Sequence, residues 1–464
     1  MGKINLNGAK NVHFIGIGGI SMSGLAEVLK KDGYAVSGSD DVAGQTTEHL
    51  KSLGIKVAVP NSAENISDDT DLVVYTAAVK PENPEYRAAQ QKNKPLMERA
   101  ELIGEILKGY EHAICIAGTH GKTTTTSLVA EVTLAAGLDP TISIGGHMGF
   151  DGSNYRVGNS SCFVLEACEY RHQFHYWHPH AAIILNIDAD HLDFYGNIDG
   201  VINSFKIFAE NIRPGGLLVI QTGKPGFEEV TKNLTCDVVT FGIDNASRFW
   251  PGNVEYDNLG RPSFDVMDGD KLLARVNLPL QGQYNMLNAL ACFAAMSWMD
   301  IDSATIANAL CAAKGVKRRF EHKGTFNGAD IIDDYAHHPT EIKATLSAAE
   351  NGCHNRIICA FQPHTYTRTR SLLDEFSTAF EMADIVLILP VYAAREVSTD
   401  PHPNYLVELL ADKIVENGVD ARFVESFKAA SEWIKENCQG NDLLITMGAG
   451  DIHILGEGLI SGDL

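Results

Sequence analysis

No run of eighteen apolar residues occurs in this 464-residue chain, so a membrane-spanning helix is not expected. The first ten residues lack the apolar core of a secretory leader. The nine cysteines are scattered, with no C-x-x-C pair, which suits reduced thiols in a cytoplasmic protein. Cys115 and Cys359 fall inside apolar runs and read as buried core thiols. Basic residues are scarce: 37 Lys and Arg against 59 Asp and Glu leave a net charge of -22. That argues against nucleic acid or an anionic membrane as a general partner, while local basic clusters can still hold small anions. Internal repeats and low-complexity tracts are also missing. What remains is an ordinary globular composition, 45% hydrophobic and 21% charged, long enough for about three domains of ~150 residues each.

The chain is organised around Cys115-Ile-Ala-Gly-Thr-His-Gly-Lys-Thr-Thr-Thr-Thr126. His112 to Ala117 reads as a buried parallel strand and Ser127 to Ala136 as an apolar helix. Between them Gly118 and Gly121 flank a short turn, followed by Lys122 and Thr123. This is the layout of a triphosphate cradle. Backbone N–H groups at a helix start face anionic oxygens, a lysine adds charge, and a threonine hydroxyl can ligate Mg²⁺. The general motif places a glycine five positions before Gly121, where Ile116 stands; here the loop is compressed, with Gly118 three positions before.

Upstream, residues 1 to 108 read as a first α/β domain. The strand Asn11 to Ile17 runs into Gly18-Gly19-Ile20-Ser21-Met22, and a second strand ends near Asp40, 24 positions beyond Gly16. A glycine turn at a helix start can receive a diphosphate, and Asp40 can accept from a ribose or remain a solvated turn carboxylate. Ser21 stands where a dinucleotide fingerprint has its third glycine, so a nicotinamide cofactor is a competing reading. Pro95 to Leu107 reads as one amphipathic helix. Residues 109 to 316 form the central domain, with strands Cys162 to Glu166 and Ala181 to Ile187 ending in Glu166 and Asp188-Ala-Asp-His191. Thr123, Glu166 and His191 can converge on metal and triphosphate, or the last two can merely cap strands. The segment from Arg171 to His180 carries histidines at spacings that evoke zinc, but reads better as a half-exposed aromatic stretch at the sheet edge. Asn285 and Asn288 share one helix face and can read an adenine edge or cap the helix.

Residues 317 to 464 return to strand–helix alternation. Lys317-Arg318-Arg319 is either a solvated hinge or an arginine for phosphate. Strands are expected at Ala329 to Asp334, Arg356 to Phe361, Ile385 to Pro390 and Leu443 to Met447, with helices at Pro339 to Ala349 and Ser371 to Met382. Two polar clusters, Asp333 to Glu341 and Gln362 to Arg370, are too polar to bury unpaired.

Taken in order, Gly16 to Gly24, Gly118 to Thr126, Glu166-Ala-Cys-Glu-Tyr170, Asn186 to His191, Tyr335 to Glu341 and Phe361 to Arg370 resemble the Mur ligase family of peptidoglycan synthesis, and within it the alanine-adding branch. The compressed cradle is the form of that family and of folylpolyglutamate synthetases. The resemblance implies an α/β fold of three domains: a Rossmann-like UDP-binding domain, a central mixed sheet of the P-loop ATPase type, and a Rossmann-like C-terminal domain. It implies an amide ligase joining L-alanine to UDP-N-acetylmuramate, with ATP as substrate and two Mg²⁺ ions as cofactors, in the cytoplasm. By family position, Gly118, Thr119, His120, Gly121, Lys122, Thr123, Thr124, Asn285, Asn288, Arg319 and Asp334 are expected to hold ATP. Thr123, Glu166 and His191 are the expected metal ligands, and Lys122, Glu166, His191 and Lys206 the catalytic set. Gly18, Gly19, Ser21, Met22, Asp40, Thr76 and His147 are assigned to the UDP-sugar, and Tyr335, His337, His364 and Arg368 to the amino acid. Tyr284 departs from the histidine of many relatives, and Thr365 from an arginine. Lys206, 15 positions after His191, stands where other members carry a carbamylated lysine.

Overall fold

Short apolar runs bounded by glycine and polar turns become the strands of three sheets. The structure, a computed structural model, describes every residue except 1, 3, 351, 395, 399–401 and 403, and the side chain of Asp193. The reading of the first ten residues therefore lies partly outside the described residues. The first sheet is wholly parallel, in the order Lys56–Ala58, Ala35–Ser39, Asn11–Ile15, Leu72–Tyr75, Leu96–Glu98. Successive strands build outward from Asn11–Ile15 on one side and then on the other. This leaves a topological switch point beyond its carboxyl end, where such sheets bind ligands.

The central sheet runs Tyr155–Arg156, Thr141–Ser143, Cys162–Glu166, His112–Ala117, Ala181–Ile184, Leu217–Gln221, Asp237–Phe241. Along these seven strands all neighbours are parallel except the edge pair of Tyr155–Arg156 with Thr141–Ser143, and Phe249 continues the sheet opposite Phe241. Fully buried Ile114, Cys115, Ile116, Phe163, Val164 and Ile183 explain its near-continuous apolar runs, since both faces are covered. The last sheet runs Glu321–Phe326, Ala329–Asp334, Leu443–Met447, Ile357–Phe361, Ile385–Ile388, Asp420–Phe423, with only its first pair antiparallel. The described chain divides into two compact units. One comprises Met1–Pro251, Val266–Ala274 and Asn288–Leu310; the other comprises Gly252–Asp265, Arg275–Leu287 and Cys311–Leu464.

Several expectations need correction. Pro95 to Leu107 is not one helix: Leu96 and Met97 pair with Val73 and Val74 as an edge strand. The helix Arg99–Leu107 starts behind them, where the Glu101 carboxylate accepts from the Glu98 N–H at 3.2 Å. The cradle helix begins at Lys122 and runs to Ala135, earlier than the apolar pattern indicated, because its threonine-rich first turns are buried. Ser371 to Met382 is broken into Tyr366–Ser371 and Leu373–Ser377, parted at Leu372 with φ -115°. The aromatic histidine stretch is half-exposed as expected, but its buried rings pack on helices and not on a sheet edge. Phe174 is stacked on Phe208 at 4.6 Å, and Trp177 donates its indole N–H to the Ala100 carbonyl at 3.0 Å, so it packs between two helices.

Candidate active site

The cradle strand His112–Ala117 hands over to the helix Lys122–Ala135 through a loop that only glycine permits at two points. Gly118 has φ +139° and Gly121 φ +83°, and a Cβ on Gly121 would lie 2.8 Å from Asn288 Oδ1. The two glycines thus have a steric cause: the loop is pressed against Leu185 and Asn186 at the strand end and against Asn288. Asn186 pins it from the side. Its amide donates to the His120 carbonyl at 3.0 Å and accepts from the His120 N–H at 2.8 Å, while its own carbonyl accepts from Thr119 N–H at 3.1 Å. Thr119 Oγ1 in turn accepts from the Asp188 N–H at 2.9 Å. The first N–H groups of the helix have no intrahelical acceptor, and no acidic side chain occupies its first turn. Such an end favours an anion.

Lys122 Nζ donates to the Gly118 carbonyl at 2.5 Å and the Thr119 carbonyl at 3.0 Å, and pairs with Glu169 at 3.0 Å. Burial works against its charge, but Glu169, Cys168 and Glu166 outweigh it and the pKa is raised. Thr123 Oγ1 donates to Glu166 Oε1 at 3.1 Å, and Glu166 Oε2 accepts from Gly145 N–H at 2.7 Å. Two oxygen ligands of the kind Mg²⁺ takes therefore converge beside the helix start. Among the described residues no three His, Cys, Asp or Glu side chains form a metal cage. The residues fit an ion that keeps water and phosphate oxygens for most of its shell. His191, with φ 54°, has its ring 4.7 Å from that of Tyr170 and tilted by 36°, and lies 3.7 Å from Asp190.

In the first sheet, Gly19 precedes the helix Ile20–Lys31 and Gly18 N–H donates to Asp40 Oδ2 at 2.8 Å. Asp40 thus braces the turn with one oxygen. Ser21 Oγ accepts from Arg99 at 3.1 Å, whereas the Met22 side chain is in the core, so only its backbone is available to a ligand. Thr76 follows the strand Leu72–Tyr75, and its hydroxyl accepts from Ala78 N–H at 3.3 Å. His147 bonds within its own loop, to the Gly152 carbonyl at 3.0 Å, two residues beyond the glycine that touches Glu166. The Lys206 ammonium lies 3.8 Å from Glu210, one turn along the same helix.

The second unit gathers a separate cluster at the carboxyl ends of its parallel strands. Asp334 is buried and accepts from Phe320 N–H at 2.7 Å and Ala336 N–H at 2.8 Å. Burial lifts its pKa to about 6 despite nearby Arg319. Arg319 lies 5.1 Å over the Tyr335 ring and 4.0 Å from Glu341. Arg318 is anchored on Asp333 at 2.9 Å and on the carbonyls of Gly448 and Gly450, which removes it from the hinge reading. His337 meets Tyr335 at 5.4 Å and His364 at 5.7 Å, and His364 Nδ1 lies 3.4 Å from Arg368. Burial pushes His337 down to about 4, with Glu341 opposing. All four positions assigned to the amino acid are thus neighbours. Asn285 is buried on the same unit and donates to the Gln281 carbonyl at 2.8 Å.

Three family models match in succession: the Mur ligase family catalytic domain over residues 11–111, the Mur ligase middle domain over 116–296, and the Mur ligase glutamate ligase domain over 318–450. A UDP-N-acetylmuramate–L-alanine ligase of Lachnospira eligens is 47% identical over 461 residues, covering 99% of this chain and 100% of the relative. The chain belongs to the Mur ligase family. A second relative of the same name, from Agathobacter rectalis, is 45% identical, with 99% and 100% covered. Among solved structures, a UDP-N-acetylmuramate–alanine ligase from Thermotoga maritima matches with TM-score 0.78 at 30% identity, covering 98% of this chain and 99% of that one. A murein peptide ligase from Psychrobacter arcticus shares the fold at TM-score 0.68 and 24% identity, with 97% and 98% covered. As a Mur ligase the chain is an ATP-dependent, amide-forming enzyme of peptidoglycan precursor synthesis.

Glu169, Asn186, Arg99 and Glu341 join the site only in the fold. Glu169 had a signal, since a buried cradle lysine needs a counter-charge and Glu169 stands three positions after Glu166. Asn186 and Arg99 had none, because their partners are distant in sequence.

Proposed function

We propose that this Mur ligase joins L-alanine to the lactyl carboxylate of UDP-N-acetylmuramate. The observation that carries the reading is full-length similarity to ligases of that name, 47% and 45% identical. The cradle around Lys122 and the arginine–histidine cluster around Arg368 support it. In the reaction a carboxylate oxygen attacks the γ-phosphorus of ATP and ADP leaves. The amine of L-alanine then attacks the acyl carbon of the acyl phosphate, loses a proton, and phosphate departs. Phosphoryl transfer asks for in-line positioning and charge neutralisation more than for a covalent nucleophile. Lys122 and the helix N-terminus supply this for the β- and γ-phosphates. Thr123 and Glu166, joined by His191 for a second ion, are the residues that would hold Mg²⁺, whose chemistry is to neutralise phosphate charge.

In this reading Gly118 to Thr124 with Asn285, Asn288, Arg319 and Asp334 serve ATP. Gly18, Gly19, Ser21, the Met22 backbone, Asp40, Thr76 and His147 serve the UDP-sugar. Tyr335, His337, His364 and Arg368 serve L-alanine, Arg368 pairing with its carboxylate bidentately. Domain boundaries at 108 and 316 belong to the same reading. ATP and a nucleotide sugar as substrates put the reaction in the cytoplasm. Carbamylation of Lys206 belongs to the same proposal, and an intact mass showing only free amine removes it. The test of the whole is phosphate release from ATP with UDP-N-acetylmuramate and each amino acid in turn. Release is expected only with both partners present, L-alanine best; release without the nucleotide sugar, or with a tripeptide in place of L-alanine, refutes it.

A further inference from the structure

The cradle lysine has a charged neighbour to which the ligase reading gives no task. Lys122 Nζ lies 3.1 Å from Glu169 Oε1 and 3.0 Å from Oε2, and also donates to the carbonyls of Gly118 and Thr119. An ammonium has three hydrogens, so all are engaged. A phosphate can be reached only by giving one contact up. Glu169 is 2% exposed, and its Oε2 has no hydrogen-bond partner beyond this ion pair. Parting the pair would strand a buried carboxylate, which is strongly unfavourable. Parting the lysine from a loop carbonyl strands only a neutral dipole, a far smaller loss. Charge therefore decides the order: the loop carbonyls are released and Glu169 is kept.

Resting on the reading of the chain as an ATP-using ligase, we infer that Glu169 is the positioning residue of Lys122, a tether that aims the ammonium before and during phosphoryl transfer. The backbone around it is braced for this. Its carbonyl accepts from His172 N–H at 3.1 Å and from the Tyr195 hydroxyl. Tyr195 lies 3.4 Å from Ser204 Oγ, which also meets His172 Nδ1 at 3.1 Å and His175 Nε2 at 2.8 Å. The histidines that evoked zinc in the sequence thus buttress the tether.

The experiment is a double-mutant cycle read by calorimetric titration of a non-hydrolysable ATP analogue with Mg²⁺ into the full chain. The four proteins are wild type, Glu169→Gln, Lys122→Met and the double variant. Glu169→Gln is expected to weaken binding about tenfold or more in the wild-type background, the scale of a charge-assisted contact, and to change nothing once Lys122 is gone. Equal losses in both backgrounds, or no loss in either, overturn the tether. A wild-type chain that binds no nucleotide would instead overturn the ligase reading on which it rests. Should Glu169→Gln not fold, Tyr195→Phe takes its place, with a smaller loss that again vanishes without Lys122; a loss that persists there refutes the inference.

Discussion

Replacing Asn186 tests whether the cradle loop is pre-shaped by the strand beside it. The Asn186 side chain makes a two-way amide contact with the His120 peptide, 3.0 Å on one side and 2.8 Å on the other. Alanine removes both hydrogen bonds, about 1 kcal/mol each and so about 2 kcal/mol in all. Aspartate keeps one acceptor but turns the other oxygen on the His120 carbonyl, which costs about 1–3 kcal/mol for the unmet group and the facing lone pairs. If the loop must be restored before ATP enters, the apparent Kd rises in proportion to the lost population, about 30-fold for 2 kcal/mol. The released loop can find water, so Tm falls by less than about 5 °C. Calorimetric titration with an ATP analogue, alongside thermal melts, separates the two effects. An Asn186→Asp protein that binds the analogue like wild type would refute the argument, since it would show that the pinned loop adds nothing to binding.

Three further outcomes are expected. Glu166→Gln, which removes the charge beside Thr123, lowers phosphate release by about 10²–10³-fold, the scale of one transition-state contact, with a higher Mg²⁺ requirement. Arg368→Lys raises KM for L-alanine by about tenfold through loss of the bidentate fork while KM for the nucleotide sugar holds, as steady-state phosphate release will report. His337, held near 4 by burial, stays neutral from pH 8 to 5, so its ring protons in NMR shift only near pH 4. Because that pKa lies below the ordinary histidine value of about 6.5, its contribution to stability is full above pH ~6.5 and is lost as pH falls through 4. Urea unfolding of wild type and His337→Asn should therefore converge on acidification.

Where strand–loop–helix chemistry was local, the sequence was readable. The cradle, the strands Cys162–Glu166 and Ala329–Asp334, and the closing strand Leu443–Met447 fall where apolar runs meet glycine or polar turns. The first strand, by contrast, ends at Ile15 and not at Ile17, because Gly16 with φ +75° turns the chain out of the sheet. The helix boundary at Arg99 is not encoded locally, because Leu96 and Met97 suit a strand or a helix equally and only pairing with Val73 and Val74 decides. Of the candidate site, residue types on motifs were legible, while the links among them were not. The contact of Asn186 with His120 spans 66 positions, and that of Arg99 with Ser21 spans 78; no local pattern encodes either. The histidine stretch misled for a related reason: its rings pack on helices that periodicity does not bring near.

The buried thiols carry a consequence of their own. Cys115 lies in the central strand His112–Ala117 and Cys359 in Ile357–Phe361 of the last sheet, both fully buried, and burial pushes each thiol pKa up. Alkylating reagents attack the thiolate, so each cysteine stays silent until its own sheet opens. These two thiols therefore serve as chemical clocks, Cys115 in the first compact unit and Cys359 in the second. Labelling rates at the two positions, resolved by peptide mass, time the opening of the central sheet apart from that of the last sheet. A bound nucleotide slows the Cys115 clock by mass action, and any slowing at Cys359 measures how much of that stabilisation the second unit receives.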